Sequence, residues 1–140
     1  MNTKELQESL LSYKDFGGVY SVDTVPDIVC SKIFYIVNLS RHFHAGSHWI
    51  CIYVKNNKIE LFDSIPKPIS DYDFCLLKKI DRGFERNTKR VQDFNSVSCG
   101  KHCIFFIKMK ESGYSFRTIM SEFYTDNLNL NENIVLSYTS

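Results

Sequence analysis

Hydrophobic positions along the chain follow two periodicities. Between residues 33 and 63 they run in short, nearly continuous blocks rich in β-branched and aromatic side chains. These are Ile-Phe-Tyr-Ile-Val-Asn-Leu at 33–39, His-Trp-Ile-Cys-Ile-Tyr-Val at 48–54 and Ile-Glu-Leu-Phe-Asp at 59–63. Such blocks predict buried strands. The last two flank Lys55-Asn56-Asn57-Lys58, turn chemistry that predicts a hairpin. Elsewhere the spacing is helical. Residues 3–14 put Leu6, Leu10 and Tyr13 on one face, with Thr3 as the expected cap. Residues 69–80, 99–111, 115–124 and 128–138 predict further helices, with Gly113 ending the second of these and Asp126 or Asn127 capping the last. Phe16-Gly17-Gly18-Val19-Tyr20 interrupts the pattern and reads as a connector or a cleft edge, followed by turn-rich residues 23–26. A short strand over 88–91 would deliver Gln92.

Composition narrows the class. A chain of 140 residues with 44% apolar content is expected to form one domain, residues 1–140, with a substantial core. Eight Tyr and eleven Phe predict an aromatic-rich core and cleft. The net charge of +1 gives no global case for a nucleic-acid partner. Locally, Lys78, Lys79, Arg82, Arg86, Lys89 and Arg90 form a basic stretch, either a solvated face or a patch for DNA or an acidic partner. The first residues lack the apolar stretch of a signal peptide. No run approaches the roughly 18 apolar residues of a membrane span, so no membrane association is expected. Five cysteines, an odd number, with no signal peptide point to free thiols in an intracellular, reducing compartment. A monomer is expected.

The chemistry concentrates at Val91-Gln92-Asp93-Phe94-Asn95-Ser96-Val97-Ser98-Cys99-Gly100-Lys101-His102-Cys103. A polar loop leads directly into an apolar helix, so the Cys99 thiol sits where unpaired N–H groups and the helix dipole favour an anion. Such a thiol ionises more readily and becomes a better nucleophile. Gln92 can direct a side-chain amide toward the same place. His48 starts one strand of the predicted hairpin and Asp63 ends the other, so the two lie side by side. Asp63 can then fix the tautomer of a His48 base. Trp49 is expected to pack beside that histidine. His42 and His44 are rival bases with no paired acid. His42, His44, His48 and Cys51 could bind zinc, but they fit no closed-site pattern and no Cys-x-x-Cys occurs; no metal is expected. Ser96 and Ser98 lie in no Gly-x-Ser-x-Gly elbow. There is no phosphate-binding or dinucleotide fingerprint. Cys103 reads as an inward-facing core residue.

The same residues carry a family resemblance. The pattern Val-Gln-x-x-Asn-Ser-x-x-Cys-Gly-x-x-Cys over 91–103 resembles the nucleophile segment of adenain-type maturation proteases, found in adenoviruses and in Polinton or Maverick transposons. The order His48-Trp49, Asp63, Gln92, Cys99-Gly100 is shared with the wider group that includes SUMO-specific proteases. Gly18 to Pro26 also looks similar to N-terminal segments of these relatives. The resemblance implies an α+β, papain-like cysteine protease fold, with a central nucleophile helix packed on a small mixed or antiparallel sheet. It implies Cys99 as nucleophile, His48 as base, Asp63 as orienter and Gln92 as oxyanion donor, with Trp49, Gly18, Asn95, Ser98 and Gly100 at the substrate cleft. The implied substrate is a polypeptide cut near small, Gly-rich sites, as in viral structural precursors, or a ubiquitin-like protein; a catalytically idle binding module is the other alternative. No cofactor is needed for the chemistry, although DNA or a peptide is implied as an activator. A host nucleus, cytoplasm or virion is the implied location. The chain departs from adenain in carrying Asp63 where Glu is usual, in lacking a C-terminal extension and in offering no cysteine matched to the activator disulfide.

Overall fold

The computed structural model describes residues 1–28, 32–40 and 48–139. Three predicted strands are present with small shifts at their ends: β2 (Lys32–Asn38), β3 (Trp49–Lys55) and β4 (Lys58–Phe62). The hairpin between β3 and β4 turns through Asn56 and Asn57, whose φ angles are 53° and 62°. A type I′ turn needs two left-handed residues, and asparagine accepts that conformation more readily than most.

Two more strands complete a five-stranded sheet in the order β1-β2-β3-β4-β5: β1 (Phe16–Ser21) and β5 (Glu85–Arg86). The outer pairs are parallel and the inner pairs antiparallel. Neither outer strand matches the sequence expectation. The Gly17-Gly18 segment is an edge strand, not a connector. Its register shifts between Phe16 and Val19, and Gly18 sits there at φ 116°. A glycine supplies that bulge conformation, and pairing to β2 overrides its poor strand propensity. The strand expected over 88–91 lies earlier, at β5. Val91 and Gln92 both donate their N–H to the single Ser64 carbonyl (3.0 and 3.1 Å). One acceptor shared by consecutive donors cannot propagate a ladder.

The helices are α1 (Thr3–Leu10), α2 (Phe74–Lys79), α3 (Cys99–Glu111), α4 (Phe116–Ser121) and α5 (Leu128–Thr139). Asn2, not Thr3, caps α1. It accepts from the Glu5 N–H while Glu5 returns a bond to its backbone, a complete capping box. The helix ends earlier than expected, and the Tyr13 ring packs edge-on against Phe34 at 6.1 Å. The helix expected over 69–80 is broken in two. Ile69–Asp71 forms a 3₁₀ turn, and Asp73 caps α2 by accepting from the Cys75 N–H at 2.8 Å. An aspartate bonding its own backbone favours a cap over a helix interior.

Strand alternation divides the core. Phe34, Ile36, Cys51, Tyr53 and Phe62 face α3, with α1, α4 and α5 around it. Tyr35, Val37, Ile50, Ile52, Val54 and Leu61 face the opposite side, covered by Val22, Val25 and α2. β3 is thus buried on both faces, which explains its unbroken apolar run. Helix α3 is buried from Cys99 through Ile107 apart from Lys101, which fits a central helix better than an amphipathic one. Phe106 on α3 stacks on Phe62 at 4.8 Å and meets Tyr53 and Phe116 edge-on. Phe106→Ala is expected to cost about 3–5 kcal/mol, while truncation of the exposed Phe74 should stay within about 0.5 kcal/mol. Urea unfolding of the two variants checks the contrast, and equal losses would refute this account of the core.

Candidate active site

His48 immediately precedes β3 and Asp63 immediately follows β4, so both stand at the open end of the hairpin. His48 Nε2–H donates to Asp63 Oδ1 at 2.6 Å. The Asp63 side chain is 1% exposed and that of His48 17%. A carboxylate so deeply buried needs several donors. Asp63 Oδ1 also accepts from the Ile65 N–H at 2.9 Å, and Oδ2 accepts from the Tyr72 hydroxyl at 2.7 Å. Burial, then the Asp63 charge and hydrogen bond, push the Tyr72 phenol above its ordinary pKa, so it remains a donor. The Asn87 amide clamps the Asp63 backbone, accepting from its N–H at 3.0 Å and donating to its carbonyl at 2.6 Å.

Cys99 is the first residue of α3, and α3 lies across the face of the sheet beside β3. That packing brings the thiol against the His48 ring. The two groups shift each other. Burial alone would raise the Cys99 pKa, but hydrogen bonds from His48 and the Trp49 backbone, the His48 charge and the Gly100 backbone hold it below its ordinary value. Burial alone would lower the His48 pKa, but the hydrogen bonds and charges of Asp63 and Cys99 carry it from 6.5 to about 9. A depressed thiol beside an elevated imidazole favours a thiolate–imidazolium pair. Because Nε2 is engaged by Asp63, Nδ1 is the ring nitrogen left for the sulfur.

Gln92 is 1% exposed and its amide is oriented at both ends. The Ser64 hydroxyl donates to Oε1, and Nε2 donates to the Ser96 carbonyl at 3.1 Å. One Nε2 hydrogen remains for a ligand in the cleft. His48, Cys99 and Gln92 line a trough of about 1000 Å³, together with Tyr20, Trp49 and Phe94.

The other expected site residues divide. Trp49 lines the trough and is mostly buried, its indole N–H donating to the Met1 carbonyl at 3.4 Å. Gly18, Asn95, Ser98 and Gly100 are not among the described lining residues. Gly18 lies beside the Tyr20 ring, and a Cβ on Gly100 would sit 3.2 Å from Met1 Cβ. Asn95 is exposed, its N–H bonded to Asp93; Ser98 is buried. Cys103 is buried in the core with its thiol on the Trp49 carbonyl at 3.5 Å. Within the basic stretch, Lys79 pairs with Asp27, Arg86 donates to the Lys67 carbonyl and Arg90 lies 3.8 Å over the Phe94 ring. Lys78 lies over Phe74 at 5.6 Å, and Arg82 and Lys89 are exposed. His42, His44 and Cys30 lie outside the described residues. Among the described residues no group of three His, Cys, Asp or Glu could hold a metal ion, and no helix is long and apolar enough to cross a membrane.

Sequence reasoning missed Ser64, Tyr72 and Asn87. Ser64 had one signal, its position next to Asp63. Tyr72 and Asn87 had none, because they reach Asp63 only through the tertiary fold.

Solved structures share this fold, two of them being of one protease. The crystal structures of the ASFV pS273R protease and of its selenomethionine form align with TM-scores of 0.53 and 0.51, at 16% sequence identity each. Each alignment covers 90% of this chain and 61% or 62% of the other. The chain therefore spans about three fifths of the length of these structures, and at this identity the likeness is one of fold. No protein-family model and no curated protein sequence matches the chain. The α+β architecture expected from the sequence, with a helix carrying Cys99 on a mixed sheet, is the one observed.

The geometry fixes the direction of one substitution. Asp63→Asn removes the charge that raises His48 and leaves its burial in place. The His48 pKa should fall from about 9 by roughly 1–3 units. An NMR titration of the His48 ring in both proteins measures it, and an unchanged value would show that Asp63 does not hold the imidazolium.

Proposed function

We propose that this chain is a cysteine protease in which Cys99, His48, Asp63 and Gln92 carry out peptide-bond hydrolysis. The observation that carries the reading is the line Cys99–His48–Asp63, with the thiol depressed, the imidazole raised to about 9 and the acid buried. The fold shared with a protease supports it.

In this reading the Cys99 thiolate attacks the scissile carbonyl carbon, and the carbonyl oxygen takes the displaced electron pair. That oxyanion is held by the remaining Gln92 N–H and by the N–H groups at the start of α3, which have no acceptor within the helix. Collapse expels the amine, which takes the proton on His48 Nδ1, and leaves a thioester. Water then attacks the thioester while His48 accepts its proton, and the thiolate departs from the carboxylic acid product. Asp63 stabilises the imidazolium at each stage where His48 carries the proton. The chemistry needs no cofactor, because every group comes from the chain, and it needs a reducing environment to keep the thiolate. The adenain-type resemblance of residues 91–103 supports an endopeptidase acting on Gly-rich sites of viral or transposon structural precursors. A ubiquitin-like substrate uses the same chemistry. DNA acting on the basic stretch around Lys89 is an activator to be tested beside each substrate.

Iodoacetamide labelling is the first test. Cys99 should react fastest among the cysteines and keep reacting well below the pH of an ordinary thiol, about 8.5. In His48→Ala that advantage should vanish. Hydrolysis of Gly-Gly and Gly-x-Gly peptides should lose activity as pH rises through about 9, where His48 loses the proton that the leaving amine requires. Gln92→Ala should lower kcat by about 10²–10³ while alkylation is retained. Equal labelling of Cys99 and Cys75 in the presence and absence of DNA would defeat the reading.

A further inference from the structure

Residues 91–98 connect the oxyanion donor Gln92 to the nucleophile Cys99, and the last helix grips this segment at both ends. Asn131 on α5 is fully buried, and its Nδ2 donates to the Val91 carbonyl at 2.9 Å. The same amide is fixed by Tyr124, donating to its carbonyl and accepting from its N–H, both at 2.6 Å. The next residue, Glu132, accepts from the Ser98 hydroxyl at 2.7 Å and from the Ser96 hydroxyl at 3.3 Å through each carboxylate oxygen. The two hydroxyls also meet each other at 2.8 Å.

Ser98 occupies the N-cap position of α3 but makes no side-chain cap bond, and its φ and ψ of −94° and 16° are not those of a usual cap. Its hydroxyl is turned to Glu132 instead. His102, one turn along α3 and fully buried, bonds through Nδ1 to the Ser98 carbonyl at 2.9 Å. Burial lowers its pKa, so the ring is neutral and Nδ1–H is the donor. Ser96 in turn uses its carbonyl to orient Gln92 Nε2 at 3.1 Å. A chain of bonds therefore runs from Glu132 through Ser96 to the Gln92 amide, and another through Ser98 to the first turn of α3. The side chains of Glu132, Ser96, Ser98 and Gln92 make no described hydrogen bond to His48 or Asp63.

We propose that Glu132 is a positioning residue for the oxyanion site: one carboxylate on α5 fixes the Ser96–Ser98 loop, and through it the Gln92 amide and the N–H groups at the start of α3. This rests on the protease reading given above. It separates two functions within the site. The imidazolium is set by the hairpin and Asp63; stabilisation of the oxyanion is set by α5.

The test compares Glu132→Ala and Glu132→Gln with the wild type and with Asn133→Ala, a control on the exposed side of the same helix. Hydrogen bonds to charged groups are worth enough that amides 93–98 should exchange about 10–100-fold faster in Glu132→Ala. A peptide aldehyde ending in glycinal reports on the oxyanion. The Cys99 sulfur adds to its carbonyl carbon, and the aldehyde oxygen becomes the group that Gln92 and α3 hold. Its affinity should fall in parallel with kcat, also about 10–100-fold, with KM little changed. Iodoacetamide labelling of Cys99 forms no oxyanion, and its rate should stay within about twofold of wild type. Glu132→Gln retains an acceptor oxygen and should recover part of the loss. Unaltered exchange of 93–98 would overturn the proposal, as would alkylation falling in step with aldehyde binding, which would mean general damage. If the wild type neither binds the aldehyde nor labels at Cys99, the protease reading fails, while the exchange data still decide whether Glu132 anchors the loop.

Discussion

The Asp63 carboxylate is the constraint on which the site depends. It is almost wholly buried, and a buried charge with one donor removed becomes strongly destabilising. Its partners come from far apart in the chain: His48 across the hairpin, Ile65 just beyond it, Tyr72 ahead of α2, and Asn87 after β5 on the backbone of the same residue. Satisfying Asp63 therefore requires the β3–β4 hairpin, the turn after it and the β5 region to be in place together. A histidine held this way cannot rotate without breaking the bond that neutralises the acid. Its position toward α3 is a by-product of the electrostatic requirement beneath it.

Helix α3 meets the opposite constraint. It is so thoroughly enclosed by aromatic side chains from the sheet, α4 and α5 that its axis has little freedom. Its first residue must then fall at the sheet end where His48 waits. The core thus does the aligning, and the loop before α3 has only to present its amides. That loop contains exposed apolar residues, Phe94 at 69% and Val97 at 88%. Burial holds its ends, at Val91 and Ser98, but not its middle. Hydrogen bonds to Ser64, Asn131 and Glu132 supply the rest, a division between packed and polar anchoring that follows from where apolar side chains are available.

The legible parts of the sequence were those whose signal is local. The hairpin was readable because strand blocks and an Asn-Asn turn lie next to each other in the chain, and its ends then placed His48 beside Asp63. The start of α3 was readable because a polar loop meets an apolar run at Cys99. Errors arose where tertiary pairing decided the outcome. Gly17-Gly18 has the propensity of a break, yet β2 recruits it as an edge strand through a bulge. Residues 88–91 look like a strand, yet the Ser64 carbonyl captures the N–H groups of both Val91 and Gln92. The roles of Tyr72, Asn87, Asn131 and Glu132 were not readable at all. Each is an ordinary polar residue whose importance lies in a partner that local sequence does not reveal, nine positions away for Tyr72 and 24 or more for the others.

That last group bears on how little sequence the fold requires. The ASFV pS273R protease shares the architecture at 16% identity, and identity that low leaves most contacts free to differ. What must persist for cysteine chemistry is a thiol at a helix start, a base at a strand end and an acid behind it. The groups that satisfy the acid, or pin the loop, have only to be donors and acceptors within reach. A hydroxyl from Tyr72 or an amide from Asn87 could be replaced by many others from different elements. Supporting groups of this kind carry no local sequence signal, so they are where structure adds most to what a sequence can tell.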